Sequence, residues 1–233
     1  LDGVIATCDH VRAKRRASKR IEISFDEWNV WYMADPARQE QEPWQEAPRL
    51  LEDVYTVTDA VVVGSLLITL LRHCDRVTVA CLAQLVNVIA PIMTEPGGPA
   101  WRQTTFYPFA DAARYGRGQV LRLPVSCPSH DTAQYGTVPL LHATAVAGAD
   151  GATTVFAVNR DTAAPMALTL DVRALGKVTR VSHRVLADPD RHARNTLAEP
   201  ERVTPYRVDT AVVDGGAVRV LLPPLSWNVI RLG

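Results

Sequence analysis

The chain has 233 residues, of which 47% are hydrophobic and 21% are charged, a balance typical of a globular protein with one large domain or parts of two. Its 25 basic and 25 acidic residues cancel, so the composition argues against a nucleic-acid partner. The basic run from Arg12 to Arg20 is interpreted as a solvated helix end. The apolar run from Ala60 to Leu71 is shorter than the roughly 20 residues that span a bilayer, which argues against a membrane partner.

The four cysteines are widely separated and form no Cys-x-x-Cys pair, which argues against a disulfide scaffold or a zinc site. The six histidines also lack the spacing of a metal site, so we expect no metal ion and no cofactor. Cys74 and Cys81 lie in apolar runs and are predicted to be buried free thiols, as in a reducing compartment. No secretory signal is recognisable at the N-terminus, so we expect a cytoplasmic location.

The first half of the chain, residues 1–118, alternates helical and strand patterns. Thr58-Asp59 is predicted to cap an apolar helix. In chain order the predicted elements are a helix over Leu1 to Lys19, a strand over Arg20 to Trp28, a polar loop over Ala34 to Glu52, a helix over Ala60 to Arg72, a strand over Val77 to Leu82, a turn over Pro96 to Pro99 and a helix over Phe106 to Tyr115. This order is typical of the last part of a (β/α)₈ TIM barrel.

The second half, residues 119–233, loses the helical period and consists of short β-rich runs separated by glycine and aspartate turns. The predicted strands are Leu121 to Val125, Leu140 to Val146, Thr153 to Val158, Ala167 to Val172, Val178 to Leu186, Ala217 to Leu222 and Trp227 to Leu232. We therefore expect an α/β barrel part over 1–118 and an antiparallel jelly-roll β-sandwich over 119–233, with almost no helix in the latter.

The segment most informative about chemistry lies where the first predicted strand ends. Glu27 follows the alternating strand, and Trp28, Trp31 and Tyr32 come next. Catalytic groups of such barrels lie at the carboxyl ends of the strands. A carboxylate there can attack an anomeric carbon, and aromatic rings can contact the C–H surfaces of a sugar. A surface carboxylate beside core tryptophans is the alternative that the residues alone leave open.

The run from Ile23 to Tyr32, ISFDEWNVWY, resembles the nucleophile motif of glycoside hydrolase family 51, the α-L-arabinofuranosidases. Further similar segments follow in the family's order and extend the resemblance over essentially the whole chain. They are Ala83 to Ile92, Trp101 to Phe109, Phe156 to Arg160 and Leu222 to Ile230. The resemblance implies a retaining glycosidase that releases terminal, non-reducing α-L-arabinofuranosyl residues from oligosaccharides and polysaccharides.

The resemblance also implies roles for single residues. Glu27 matches the catalytic nucleophile, and Trp31 and Gln103 match residues that line the substrate pocket. For Trp31 the alternative is core packing, and for Gln103 it is a structural hydrogen bond at the barrel rim. Asp26 and Asn29 are interpreted as supports of the site rather than sugar contacts. The late pair Trp227 and Asn228 is interpreted as packing.

One part of the family's machinery has no counterpart in this sequence. Retention of configuration requires two carboxylates about 5–5.5 Å apart. In the family the acid/base glutamate follows an asparagine, and no Asn-Glu pair occurs here. We therefore expect the N-terminal remainder of the enzyme, as a missing segment or a separate chain, to be a partner. The family is often oligomeric, so a homo-oligomer is also expected.

Two alternatives to this interpretation stay open at the level of sequence. The chain could be a non-catalytic carbohydrate-binding or interaction fragment, in which the sandwich carries the function. It could also belong to a relative that acts on other glycans, such as a β-glucan. The pocket shape would separate the second alternative from an arabinofuranosidase, and most of that pocket lies outside this sequence.

Overall fold

The structure, a computed structural model, describes residues 1–32, 44–46 and 48–233. The predicted loop over Ala34 to Glu52 therefore lies largely outside the described residues. Its described parts, 44–46 and 48–52, contain no helix or strand. None of the helices in the described ranges is long and apolar enough to cross a membrane.

The described residues of the first half form three helices and four strands. They are α1 (Asp2–Lys14), β1 (Ile23–Trp28), α2 (Val57–Arg72), β2 (Val77–Leu82), β3 (Ile92–Thr94), β4 (Ala100–Arg102) and α3 (Phe106–Tyr115). β1 and β2 pair in parallel, with α2 as the crossover between them, which confirms the predicted βαβ unit. The predicted turn over Pro96 to Pro99 joins the antiparallel strands β3 and β4.

Helix α2 begins with a reciprocal cap and is buried along most of its length. Thr56 is the N-cap residue, and Asp59 accepts hydrogen bonds from its backbone N–H at 2.7 Å and its hydroxyl at 2.8 Å. The cap therefore lies two residues before the predicted Thr58-Asp59. One face of α2 packs on β1 and β2, where Leu67 joins Trp28 in a small core.

The opposite face of α2 packs on the second half of the chain. Val61 and Ile68 share a core with Phe156 and Trp227, whose rings stack at 5.5 Å between centroids. The contact is close at Gly64, where an added Cβ would lie 2.4 Å from Cε3 of Trp227. Glycine is thus required at this helix position by packing, despite its low helix propensity.

The second half consists of strands and one 3-10 turn at Arg173–Leu175, and all its strand pairs are antiparallel. Its strands are β5 (Gly118–Leu121), β6 (Ser129–Thr132), β7 (Gly136–Pro139), β8 (Leu141–Gly148), β9 (Thr153–Asn159), β10 (Met166–Asp171), β11 (Val181–Leu186), β12 (Tyr206–Val208), β13 (Val212–Asp214), β14 (Ala217–Leu222) and β15 (Ser226–Leu232). This confirms the predicted antiparallel region with almost no helix. Four short strands, β6, β7, β12 and β13, were not predicted.

Two sheets of the second half enclose a common core. The larger sheet has the order β12-β11-β15-β9-β8-β5, and the smaller has the order β10-β14-β13. Val155 and Ile230 of the larger sheet pack with Val218 and Leu222 of the smaller one. The predicted packing roles of Trp227 and Asn228 are confirmed, since they are 1% and 0% exposed.

The two halves are joined by a buried polar contact as well as by the core on α2. Asp111 of α3 accepts a hydrogen bond from Nε1 of Trp227 at 3.1 Å and pairs with Nη1 of Arg184 at 2.7 Å. Burial raises the pKa of Asp111, and the Arg184 guanidinium opposes that rise. The predicted division after Gly118 stays a prediction, because the core is continuous across it.

The prediction that Cys74 and Cys81 are buried is wrong, since both are exposed. Cys74 lies in the turn between α2 and β2. Cys81 lies on the face of the β1–β2 sheet that is turned away from α2, where Ser24 and Val79 are also exposed. An apolar run therefore did not imply burial here, because only the α2 side of this sheet is covered by described residues. The thiols of all four cysteines are free.

Candidate active site

Glu27 lies at the carboxyl end of β1, and its side chain is exposed. The next residue, Trp28, is only 7% exposed and packs with Val63, Leu67 and Leu70 of α2. The pairing register of β1 and β2 shifts between Phe25 and Trp28. The end of the strand is thus anchored by the buried indole, while the carboxylate beside it stays accessible.

Asn29 ties the end of β1 to the segment that follows β2. Its Nδ2 donates to the carbonyl oxygens of Ala83 at 2.7 Å and Ile89 at 2.5 Å. Its Oδ1 accepts from the backbone N–H of Val30 at 2.8 Å. These bonds agree with the supporting role predicted for Asn29. The other predicted support, Asp26, is exposed and accepts a 3.3 Å bond from the Ser24 hydroxyl.

The backbone beyond Asn29 is held by residues just before and within the first turn of α2. Tyr55, fully buried, donates from its hydroxyl to the carbonyl of Val30 at 2.9 Å. Tyr32 donates from its hydroxyl to Oδ1 of Asp59 at 2.5 Å, and its N–H donates to Oδ2 of Asp53 at 3.1 Å. Burial and the Asp59 carboxylate both raise the pKa of Tyr32, so it is a neutral donor at physiological pH.

Trp31 lies between these anchored residues, and its side chain is 50% exposed. It is therefore not packed in the core of the described chain, which was the alternative to a substrate contact. An indole held by a fixed backbone loses little conformational freedom when a ligand covers it, which favours binding. The structure thus presents an accessible carboxylate and an accessible aromatic face within five residues of each other.

Gln103 is placed differently from Trp31. Its side chain is 0% exposed, with Oε1 accepting from the N–H of Tyr55 at 2.9 Å. Its Nε2 donates to the carbonyls of Asp53 at 2.9 Å and Ala90 at 2.7 Å. Both the oxygen and the nitrogen of the Gln103 amide thus form hydrogen bonds with backbone groups. This arrangement matches the alternative role of Gln103, a structural hydrogen bond at the barrel rim. A sugar contact by Gln103 stays a prediction.

Tyr55, Asp53 and Asp59 belong to this site although the sequence reasoning did not assign them to it. The sequence predicts Asp59 only as part of a helix cap, which does not by itself place it near β1. Tyr55 and Asp53 had no signal, because each contacts the aromatic segment across 21 to 25 residues of chain.

Comparison with known proteins decides the family. The family model for the α-L-arabinofuranosidase C-terminal domain matches residues 26–226. An intracellular exo-α-(1→5)-L-arabinofuranosidase from Streptomyces lividans is 60% identical over 232 residues. The chain belongs to the α-L-arabinofuranosidases of glycoside hydrolase family 51.

Two further comparisons concern a solved structure and a second curated relative. A solved structure of an α-L-arabinofuranosidase of this family from Bifidobacterium longum has a TM-score of 0.88 and 44% identity, over 98% of this chain and 45% of that one. This confirms the predicted fold class, the last part of a TIM barrel followed by a β-sandwich. An exo-α-(1→6)-L-arabinofuranosidase from Bifidobacterium longum is 45% identical over 100% of this chain.

The chain spans less than half the length of the two curated relatives. It covers 35% of the Streptomyces lividans enzyme and 46% of the α-(1→6)-acting enzyme, although 99% and 100% of its own length are matched. The matched region of the family model also runs across residue 118, over both halves of the chain.

Proposed function

We propose that this chain is the C-terminal part of a retaining α-L-arabinofuranosidase and that Glu27 is its nucleophile. The observation that carries the proposal is the exposed carboxylate at the end of β1, followed by the half-exposed Trp31 on an anchored backbone. The similarity to named arabinofuranosidases over 99% of the chain supports the same activity.

In the proposed reaction, a carboxylate oxygen of Glu27 attacks the anomeric carbon and forms a glycosyl ester as the bond to the leaving oxygen breaks. A second carboxylic acid gives its proton to that oxygen. The same group, now a carboxylate, takes a proton from water, whose oxygen attacks the anomeric carbon and releases arabinose and Glu27. The second group must lie about 5–5.5 Å from Glu27 for this sequence.

The second carboxylate is proposed to come from the N-terminal remainder of the enzyme. The exposed face of the β1–β2 sheet, with Val79 46% exposed, is the surface that this remainder would cover. The relatives are between two and three times as long as their matched part, which leaves room for it. A homo-oligomer stays part of the proposal on the family resemblance alone.

The proposed substrate is a terminal, non-reducing α-L-arabinofuranosyl residue, and the proposed location is the cytoplasm. The Streptomyces lividans relative is named intracellular and α-(1→5)-acting, which supports the location. A relative of lower identity is named α-(1→6)-acting, so the linkage is left open. A panel of arabinofuranosides and β-glucans separates this proposal from a relative that acts on other glycans.

Trapping the covalent intermediate tests the assignment of Glu27. The full-length enzyme is treated with a mechanism-based arabinofuranosyl inactivator, digested and analysed by peptide mass spectrometry. The expected result is a label on Glu27, because it is the carboxylate proposed to form the ester. A label on the neighbouring Asp26, or full activity without any label, would overturn the assignment.

A further inference from the structure

A second surface of the molecule combines features that suit a saccharide. A cleft of about 380 Å³ opens on the β-sandwich, away from the residues just described. Its walls come from the loops after β9, β11 and β14 and from the start of β12. The residues that matter for its chemistry are Thr162, Asp188, Arg191, Tyr206, Pro223 and Pro224.

The cleft is lined by both apolar and polar groups, and a saccharide likewise presents both C–H surfaces and hydroxyls. Tyr206 is 44% exposed, and its ring and the two proline rings offer flat apolar surfaces to sugar C–H groups. The Thr162 hydroxyl and the Arg191 guanidinium offer hydrogen-bond donors and an acceptor to sugar hydroxyls. The Asp188 carboxylate is 9% exposed and pairs with Arg202, so it shapes the cleft and is not a ligand contact.

The wall that contains Pro223 is rigid before any ligand binds. Asn159, fully buried, donates from Nδ2 to the carbonyls of Ala164 at 3.1 Å and Pro223 at 2.9 Å. The N–H of Leu225 donates to the carbonyl of Asp161 at 2.7 Å. The loops on either side of Thr162 and Pro223 are therefore tied together, so that little ordering accompanies binding.

The opposite wall is held by a charged pair. Both carboxylate oxygens of Asp188 interact with the guanidinium of Arg202, and Oδ1 also accepts from the N–H of Asp190 at 2.9 Å. A two-point pair of this kind fixes the orientation of both side chains. The shape of the cleft thus arises from the sandwich itself.

The rim of the cleft is hydrogen-bonded to helix α2. The carbonyl of Arg191 accepts hydrogen bonds from the N–H of Thr58 at 3.3 Å and from its hydroxyl at 3.0 Å. The next residue, Asp59, binds the hydroxyl of Tyr32, which adjoins Trp31. One turn of α2 therefore connects the rim of the cleft to the aromatic segment beyond Glu27.

We propose that this cleft is a second saccharide site, which binds an arabinofuranosyl chain of the substrate whose terminal residue reaches Glu27. The inference rests on the proposed function. It assigns to the sandwich a role in retaining longer substrates, in addition to its packing against α2.

Steady-state kinetics of the full-length enzyme with two substrates test this site. Removal of the aromatic ring in Tyr206→Ala is expected to raise KM for a linear arabino-oligosaccharide by about 3- to 10-fold, as for the loss of one ring contact. KM and kcat for a small aryl arabinofuranoside should not change, because that substrate does not reach the cleft. Tyr135→Ala, at a tyrosine that is 74% exposed on the β6–β7 hairpin, is the matched control and should leave both substrates unaffected.

A blocking variant keeps the test decisive if Tyr206→Ala does not fold. Thr162→Trp adds bulk at an exposed position of the cleft and should raise KM for the oligosaccharide only. Equal KM values for wild type and the folded cleft variants would overturn the proposal, and so would equal effects on both substrates. A wild-type enzyme that hydrolyses neither substrate would contradict the proposed function instead. Calorimetric binding of the oligosaccharide, with and without the variants, would then decide the cleft by itself.

Discussion

Strands β9 and β1 show that the sheets of the two halves differ in how many of their faces are covered. All seven residues of β9 are buried, because α2 covers one face of its sheet and the smaller sheet covers the other. In β1 only Trp28 is buried, and the face that is turned away from α2 is exposed. The larger sheet of the sandwich is thus covered on both faces, by α2 and by the smaller sheet, whereas described residues cover only one face of the β1–β2 sheet and leave the proposed nucleophile exposed.

The comparison predicts that residues 1–233 alone are inactive. In the proposed mechanism they lack the second carboxylate, whose general acid help is typically worth about 10²–10⁴-fold, and the pocket residues that the N-terminal remainder is proposed to supply. The purified chain should not turn over an aryl arabinofuranoside at a useful rate. It should also associate through the exposed face of the β1–β2 sheet. Robust turnover by a soluble monomer would show that the argument for a missing half is wrong.

Glu27→Ala in the full-length enzyme separates catalysis from stability in the exposed region. We expect kcat to fall by several orders of magnitude, because the covalent route is lost. The melting temperature should change little, because the side chain is exposed and contributes little packing. Kinetics and thermal denaturation measure the two effects side by side. Asp26→Ala, at the neighbouring exposed carboxylate, is the control and should retain most of the activity.

In the sandwich, the partly buried position of His142 leads us to expect a lower free energy of unfolding at acidic pH. Burial, followed by the charges of Arg160 and Arg72, lowers the pKa of His142 from 6.5 to about 4. The unfolded chain therefore binds a proton between these values while the folded chain does not, so the free energy of unfolding decreases as pH falls from 6.5 to 4. The loss is smaller than the roughly 3 kcal/mol to which the pKa difference alone corresponds, because His142 is partly exposed and solvent screens its charge.

Chemical denaturation of wild type and His142→Leu at pH 7.5 and pH 5 checks this effect. The variant should lose less stability than wild type over that interval, because carboxylates that titrate in both proteins cancel in the difference. His183, whose pKa burial also lowers, remains in both proteins. An identical pH dependence of the two proteins would remove His142 from the explanation.

Gly64→Ala tests the contact between α2 and the sandwich. The added Cβ would meet Trp227 at 2.4 Å, so Trp227 or the helix must move, which should destabilise the protein by about 1–3 kcal/mol. Gly3→Ala in α1 is the matched control, since no atom lies within 4 Å of its added Cβ. The control should be neutral or slightly stabilising, because alanine favours a helix. Equal melting temperatures of the two variants would contradict the packing argument.

The sequence predicted the elements whose pattern is strong and missed those whose pattern is weak. The βαβ unit and the central sandwich strands have regular apolar patterns, and helix α3 has the predicted bounds. The hairpin β6–β7 and the strand β13 are short and largely exposed, so their sequences lack the alternation of apolar and polar residues that predicts a strand. The prediction that Cys81 is buried is wrong because an apolar run does not show which side chains face a covered side of the sheet. Cys81 lies on the face of the β1–β2 sheet that is turned away from α2.

For the site, the motif predicts Glu27 and Trp31, whereas local sequence patterns do not predict the residues that hold the backbone around them. Tyr55 reaches Val30 across 25 residues, and Gln103 reaches Tyr55 across 48. Such contacts depend on tertiary packing and are not periodic in sequence. The backbone hydrogen bonds that hold the Gln103 amide could not be predicted from the sequence, and its contact with a sugar stays a prediction.

The smallest predicted effect concerns the link between the aromatic segment and α2. Tyr32→Phe removes the 2.5 Å hydrogen bond to Asp59 but keeps the ring, so the backbone beside Trp31 loses one of its anchors. Loss of one hydrogen bond to a charged group corresponds to about 1.5–3 kcal/mol at most. Because Asp53 still binds the Tyr32 N–H and Tyr55 still holds Val30, only part of this should appear as a lower kcat/KM, by about 3- to 10-fold.

Kinetics with an aryl arabinofuranoside at fixed pH, together with thermal denaturation, separate positioning from folding in this variant. Tyr32→Phe should keep a melting temperature close to wild type, because Asp59 still caps α2 through Thr56. Asp59→Asn removes the charge from both the cap and the Tyr32 contact, so it should lower stability as well as kcat/KM. If Tyr32→Phe changed neither quantity, the exposed Trp31 would be positioned by its backbone anchors at Asn29 and Val30 alone.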